Sequence, residues 1–142
     1  MATKWESIKE GDTLPELKKR PGLTQLVKYA AGSGDFNPLH MNEAYAKKTP
    51  FKTRIAHGAL AQGLIAHVLG MKLPGLGTLL VEITCRFKAP TFFGDTITAT
   101  ATVAEKIEDK QWVVMDLKWS NQEGTSVAEG QAVVIPPSKG NR

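Results

Sequence analysis

Between positions 95 and 103 the chain alternates strictly, with Ile97, Ala99, Ala101 and Val103 on one side and Thr96, Thr98, Thr100 and Thr102 on the other. Side chains of an extended chain point alternately to its two faces, so this period of two predicts a half-buried strand. Further strand-like runs occupy 112–119 and 125–135, separated by the polar turns Glu108-Asp109-Lys110 and Asn121-Gln122-Glu123-Gly124. Before them, 79–88 is rich in β-formers and stops at Ala89-Pro90. Together these segments predict a meander of about four long antiparallel strands.

The first half of the chain leans towards helix. Gly11-Asp12 and Pro21-Gly22 bracket a short segment suited to an extended edge strand. Thr24 is placed to cap a short helix over 25–31, and the turn formers of 32–38 end it. Asn42 can cap a second short helix through Ala46, which Thr49-Pro50 would close. From 58 to 71 the chain reads GALAQGLIAHVLGM, apolar at nearly every position except Gln62 and His67. A surface helix would show a polar face, so this one is expected to be buried on most sides. His67, among apolar neighbours, reads as a satisfied core histidine. One buried helix plus long antiparallel strands gives an α+β architecture with the sheet wrapped around the helix. Such a sheet needs its edges managed, and dimerisation would do so.

Composition adds bounds rather than detail. At 142 residues, the whole of 1–142 is expected to be one domain, with 136–142 a disordered tail. Hydrophobic residues make up 42% and charged residues 23%, ordinary values for a soluble globular chain. The net charge of +4 is carried by scattered lysines with no dense stripe, which argues against nucleic-acid binding. No run reaches the roughly 20 apolar residues of a membrane span. The N-terminus lacks a secretory apolar stretch, so a cytoplasmic location is expected. The single cysteine, Cys85, has no intramolecular partner and is expected to pack.

Candidate chemistry concentrates in two places. Asp35 and His40 lie five residues apart in sequence, across a turn favoured by Gly34 and Pro38. A carboxylate and an imidazole in one small volume can activate a water and move a proton. Asn37 supplies a neutral amide that could hold either the loop or the water. The second place is Ala56-His57-Gly58, which opens the apolar helix. Its first N–H groups have no internal partner, and glycine lets a ligand approach them closely. Gly58 is therefore a candidate main-chain oxyanion site. His57 either caps the helix or helps to position substrate and water. No His/Cys cluster has metal-ligand spacing, and no phosphate-cradling glycine loop or Gly-x-Ser-x-Gly elbow occurs.

The segment GSGDFNPLHMNEAYA resembles the signature of the MaoC-like and (R)-specific enoyl-CoA hydratase family, in which Gly-Asp is followed by Asn-Pro and then His. AHGAL and FKAPTFFGDTITATATV resemble two further blocks of that family, and the likeness extends from about Gly11 to about Ile135. The resemblance implies a hotdog fold and a reversible syn hydration of trans-2-enoyl thioesters to (R)-3-hydroxyacyl thioesters. Asp35 and His40 would bind the catalytic water, and Gly58 N–H would polarise the thioester carbonyl. No metal or other cofactor is implied, because CoA or acyl-carrier pantetheine belongs to the substrate. A homodimer or higher oligomer is expected, and a heterodimer stays open. The chain departs from some relatives in carrying Gly63 and Ala66 where a central-helix serine would support the aspartate. A hotdog thioesterase, or one subunit of a heterodimeric fatty-acid-synthesis dehydratase, is the alternative. Phe87, Phe92 and Phe93 are expected to pack the core or shape an acyl tunnel. Tyr29 and Gln62 would serve as wall or structural groups. Arg86, Lys88 and Lys52 could meet CoA phosphates, though a solvated face is the plainer explanation.

Overall fold

A computed structural model describes residues 2–13, 22–138 and the main chain of 17–19. The alternating run becomes β3 (Ile97–Ile107), which pairs with β4 (Trp112–Ser120), and that in turn with β5 (Ser126–Ile135). β2 (Leu79–Phe87) pairs with the far side of β5, and the short β1 (Leu17–Lys19) pairs with β3. The result is one five-stranded antiparallel sheet in the order β1-β3-β4-β5-β2. The expected edge strand is thus present, although part of its bracketing segment lies outside the described residues.

Alternation decides the faces. Ile97, Ala99, Ala101 and Val103 of β3 are buried, as are Val113, Met115, Leu117 and Trp119 of β4, while their neighbours point away. Across this inner face runs α4 (Gly58–Met71), with the bounds that the apolar run suggests. The helix contributes Ile65, Val68 and Leu69 to the core. Each such side chain stabilises the fold by about 1.5–3 kcal/mol. The small alanines of β3 leave room for the helix to lie close to the sheet. This is the α+β hotdog arrangement expected from the sequence.

Three expectations need correction. First, α4 buries only the stripe Ala61, Ile65, Val68 and Leu69, and Ala59, Gly63, Ala66, His67 and Met71 are exposed. Second, His67 is not a core histidine. It stands midway between Ile65 and Leu69, so the helical repeat turns it to the opposite side from both. Third, the tail does not start at Pro136: Pro137 O accepts a hydrogen bond from Trp5 N–H at 2.8 Å, and Ser138 is buried. Residues 139–142 lie outside the described residues.

The first helix, α1 (Leu23–Ser33), starts before the expected Thr24 cap. Gly22 is its N-cap, and Gln25 Oε1 accepts from Gly22 N–H. Single-turn helix α2 (Pro38–Met41) occupies what reads as loop, and α3 (Glu43–Ala46) is capped by Asn42 as expected. These short helices connect α1 to the segment that leads into α4.

Candidate active site

Residues 34–37 lack regular structure, and local hydrogen bonds shape them. Gly34 terminates α1 in the left-handed region, at φ 78°, where a side chain would be strained. The Ser33 hydroxyl donates to Tyr29 O at 2.7 Å and accepts from Asp35 N–H at 3.2 Å. Asp35 Oδ1 accepts from Asn37 N–H at 3.1 Å, so the turn-forming role open to an aspartate is taken up by one oxygen. Its carboxylate remains about half exposed, with 48% side-chain accessibility, and Oδ2 is left for other work. Asn37 Oδ1 accepts from Leu39 N–H at 3.0 Å and caps α2. Of the two roles open to Asn37, holding the loop is the one with a hydrogen bond behind it.

One turn of α2 carries His40 over the segment that enters α4. His40 Nδ1 lies 2.8 Å from Ile55 O. A carbonyl oxygen only accepts, so Nδ1 carries a proton, which in the neutral imidazole leaves the lone pair on Nε2. His57, 2% exposed, lies beneath, with ring centroids 4.0 Å apart and planes 33° apart. Its Nε2 is 3.0 Å from Asp35 O and 3.8 Å from Asp35 Oδ2. Tyr29 closes the other side of the imidazole at 4.8 Å. His57 is therefore behind the pair, and it caps α4 with its main chain rather than its ring.

The segment 53–57 is anchored on both sides. Ala56 N–H donates to Thr91 O at 2.8 Å. Glu43 on α3 accepts from the Thr53 hydroxyl, from Arg54 N–H and from Arg54 Nε, the last two at 3.3 Å. The Arg54 main-chain N–H foremost, with the Thr53 hydroxyl and Arg54 guanidinium behind it, holds the Glu43 carboxyl below its ordinary value of 4.5 against a desolvation that opposes them.

A cleft of about 500 Å³ opens above these groups, lined by His40, Phe51, Ile55, Gly58, Phe87 and Pro90 among others. Its walls are mainly apolar, as those of small-molecule clefts commonly are. Among the described residues, Gly58 N–H has no acceptor within the protein. The Phe87 ring packs directly over Gly58: a Cβ at that glycine would meet ring atoms at 3.0 Å. Two other depressions, of about 450 and 490 Å³, lie on the sheet face around Gly130 and hold no histidine.

Asp35, His40 and His57 each bring one ligand-type atom within 4.8 Å of the others, a set that could hold a metal ion. Motif spacing could not reveal it, because the three come from two segments. His57 Nε2 is occupied as a donor to Asp35 O, and its Nδ1 is buried without a hydrogen-bond partner. The arrangement suits acid/base work on a water instead. Sequence reasoning brought out Asp35, Asn37, His40, His57 and Gly58; the structure brings Asp35, His40 and His57 together, sets Gly58 beside His40 in the cleft lining and uses the Asn37 side chain to hold the loop. It missed Ser33, the Ile55 carbonyl and the Glu43 clamp. A serine two residues before an aspartate is a weak turn signal, and a main-chain carbonyl has no residue-type signal at all.

The sequence pattern described as MaoC like domain matches residues 8–124. The chain is 43% identical over 136 residues to an (R)-specific enoyl-CoA hydratase of Rhodospirillum rubrum, covering 96% of this chain and 93% of that one. It is 39% identical over 123 residues to a 3-hydroxybutyryl-CoA dehydratase of Methylorubrum extorquens, covering 87% and 78%. The solved structure of an (R)-hydratase from Aeromonas caviae involved in PHA biosynthesis superposes with a TM-score of 0.90 at 37% identity, covering 93% of this chain and 99% of that one.

Proposed function

The chain belongs to the MaoC-like domain family, and from that premise we propose that it is a hydro-lyase interconverting trans-2-enoyl and (R)-3-hydroxyacyl thioesters. The observation that supports this reading is that Asp35 and His40 bring a carboxylate oxygen and a ring nitrogen within 4.8 Å of one another, while His40 and Gly58 line one apolar cleft. In the hydration direction a water sits between Asp35 Oδ2 and His40 Nε2. The lone pair on Nε2 accepts one water O–H, and Asp35 takes the proton as the oxygen bonds to Cβ. Electron density moves through Cα to the thioester oxygen, where Gly58 N–H meets the developing charge. One such donor is worth about 10²–10³ in rate. Cα then takes a proton from the same pair, which returns to its starting state. Attack and protonation come from one side of the acyl chain, so addition is syn. Dehydration is the reverse.

CoA thioesters are the preferred substrates on this reading, in keeping with the names of the relatives above. No metal takes part, so dialysis against EDTA should leave turnover unchanged; loss of activity restored by a divalent ion would overturn that point. The working unit is a dimer in the cytoplasm. Among the described residues no helix is long and apolar enough to cross a membrane.

The test is the enoyl-thioester absorbance of crotonyl-CoA. Wild type should remove it and yield the (R)-3-hydroxy product, and Asp35→Ala and His40→Ala should each lower kcat by about 10³-fold. Free CoA thiol released instead, with Asp35→Ala unaffected, would sink the reading in favour of a thioesterase.

A further inference from the structure

The histidine at the entry to α4 is buried, touches both members of the pair and has no part in the chemistry above. His57 Nε2–H donates to Asp35 O at 3.0 Å, from the segment before α4 to the loop after α1. His40 Nδ1–H donates to Ile55 O at 2.8 Å, from the far end of that loop back to the same segment. The two segments thus exchange imidazole N–H donors, each to a main-chain carbonyl of the other, and the rings pack face to tilted face between them. The ring nitrogens left over differ. His40 lines the cleft and uses Nδ1 for its bond to Ile55 O, which leaves Nε2 over. His57 Nδ1 is buried and has no hydrogen-bond partner.

We infer that His57 is a positioning residue, the second half of a reciprocal histidine clasp that registers Asp35 and His40 against Gly58 N–H. The remaining bonds of Asp35, to Ser33 and Asn37, are local to its own loop and cannot place it relative to α4. The bond from His57 is the one that does so among those of the described residues. Its Nδ1 is buried without a hydrogen-bond partner, so on this reading His57 does not exchange protons with the acyl chain. Two histidines stacked in one site therefore donate from opposite ring nitrogens: His40 from Nδ1, His57 from Nε2. This inference rests on the hydro-lyase reading for its kinetic consequence but not for its geometry.

Reacting groups misplaced by about 1 Å lose about 10²-fold in rate. His57→Phe keeps a ring between His40 and Tyr29 and removes the donor, so kcat for crotonyl-CoA should fall by that order while KM stays within about twofold. His57→Gln restores an N–H donor and should recover most of the lost kcat. A His57→Phe enzyme with unchanged kcat would overturn the clasp, as would a rise in KM alone, which would make His57 a substrate-binding group. Should either variant fail to fold, ring 15N NMR of the wild type at neutral pH decides. The chain has three histidines, and two should show protons on the opposite ring nitrogens given above, with the exposed His67 as an internal reference. A His57 ring protonated on Nδ1 overturns the inference. If wild type does not hydrate crotonyl-CoA, the functional reading fails, and the NMR result still settles the clasp.

Discussion

Asp35 makes two uses of a single carboxylate. Oδ1 closes a turn on Asn37 N–H, which fixes the side-chain torsion, and Oδ2 is left beside the two imidazoles. Local stereochemistry therefore aims the group before any tertiary contact acts on it. Gly58 is a second residue whose identity follows from its surroundings. The helix start needs no special backbone angle there, yet the Phe87 ring occupies the direction a side chain would take. Gly58→Ala should push that ring into the cleft and lower kcat/KM for crotonyl-CoA. Overpacking of this kind also costs about 1–3 kcal/mol of stability. Phe87→Ala in the same background should recover part of the loss. Steady-state kinetics on the single and double variants checks both.

At the scale of elements, α3 matters because it grips the strand-like approach to α4. Glu43 ties Thr53 and Arg54, and the next residue, Ile55, carries the carbonyl that sets the His40 tautomer. The folded-state pKa of Glu43 lies below its ordinary 4.5. A depressed carboxylate contributes stability that is complete above the unfolded pKa and is lost as pH falls through the folded one. Glu43→Gln should therefore lower Tm at neutral pH, and the difference from wild type should shrink as pH drops below that of the free carboxyl. Thermal melts of both proteins across the acid range check the sign; a gap that widened towards acid would contradict it.

The whole molecule leaves one side unfinished. β2 is the last strand in the sheet, and Leu79, Leu80 and Val81 on it are 62%, 50% and 45% exposed. The exposed side of α4 offers Ala59, Gly63, Ala66 and Met71. An apolar edge strand with open main-chain groups invites another chain. A second copy meeting this edge would cover both features and brace Phe87, which stands at the end of the same strand. The chain should therefore run as a dimer in size-exclusion chromatography with light scattering. Val81→Lys should shift it towards monomer and lower hydratase activity in parallel. A wild type that stays monomeric at high concentration would contradict the assembly.

Much of this was legible along the chain. The two-residue alternation of β3 gives its buried face residue by residue, because strand geometry maps sequence parity directly onto side. The bounds of α4 follow from an apolar run between breakers, and Gly-Asp-x-Asn-Pro-x-His marks Asp35 and His40 through contacts spanning only a few residues. What an apolar surface packs against is a different kind of fact. The composition of α4 says that it wants cover on all sides, but only the packed sheet decides that one stripe is covered and His67 is left outside. The same holds for His57, 22 residues from Asp35 in sequence. Its ring could have capped the helix or met the substrate. Its partner was decided when α4 docked on the sheet and brought two distant segments within hydrogen-bond reach, a distance that no local pattern encodes.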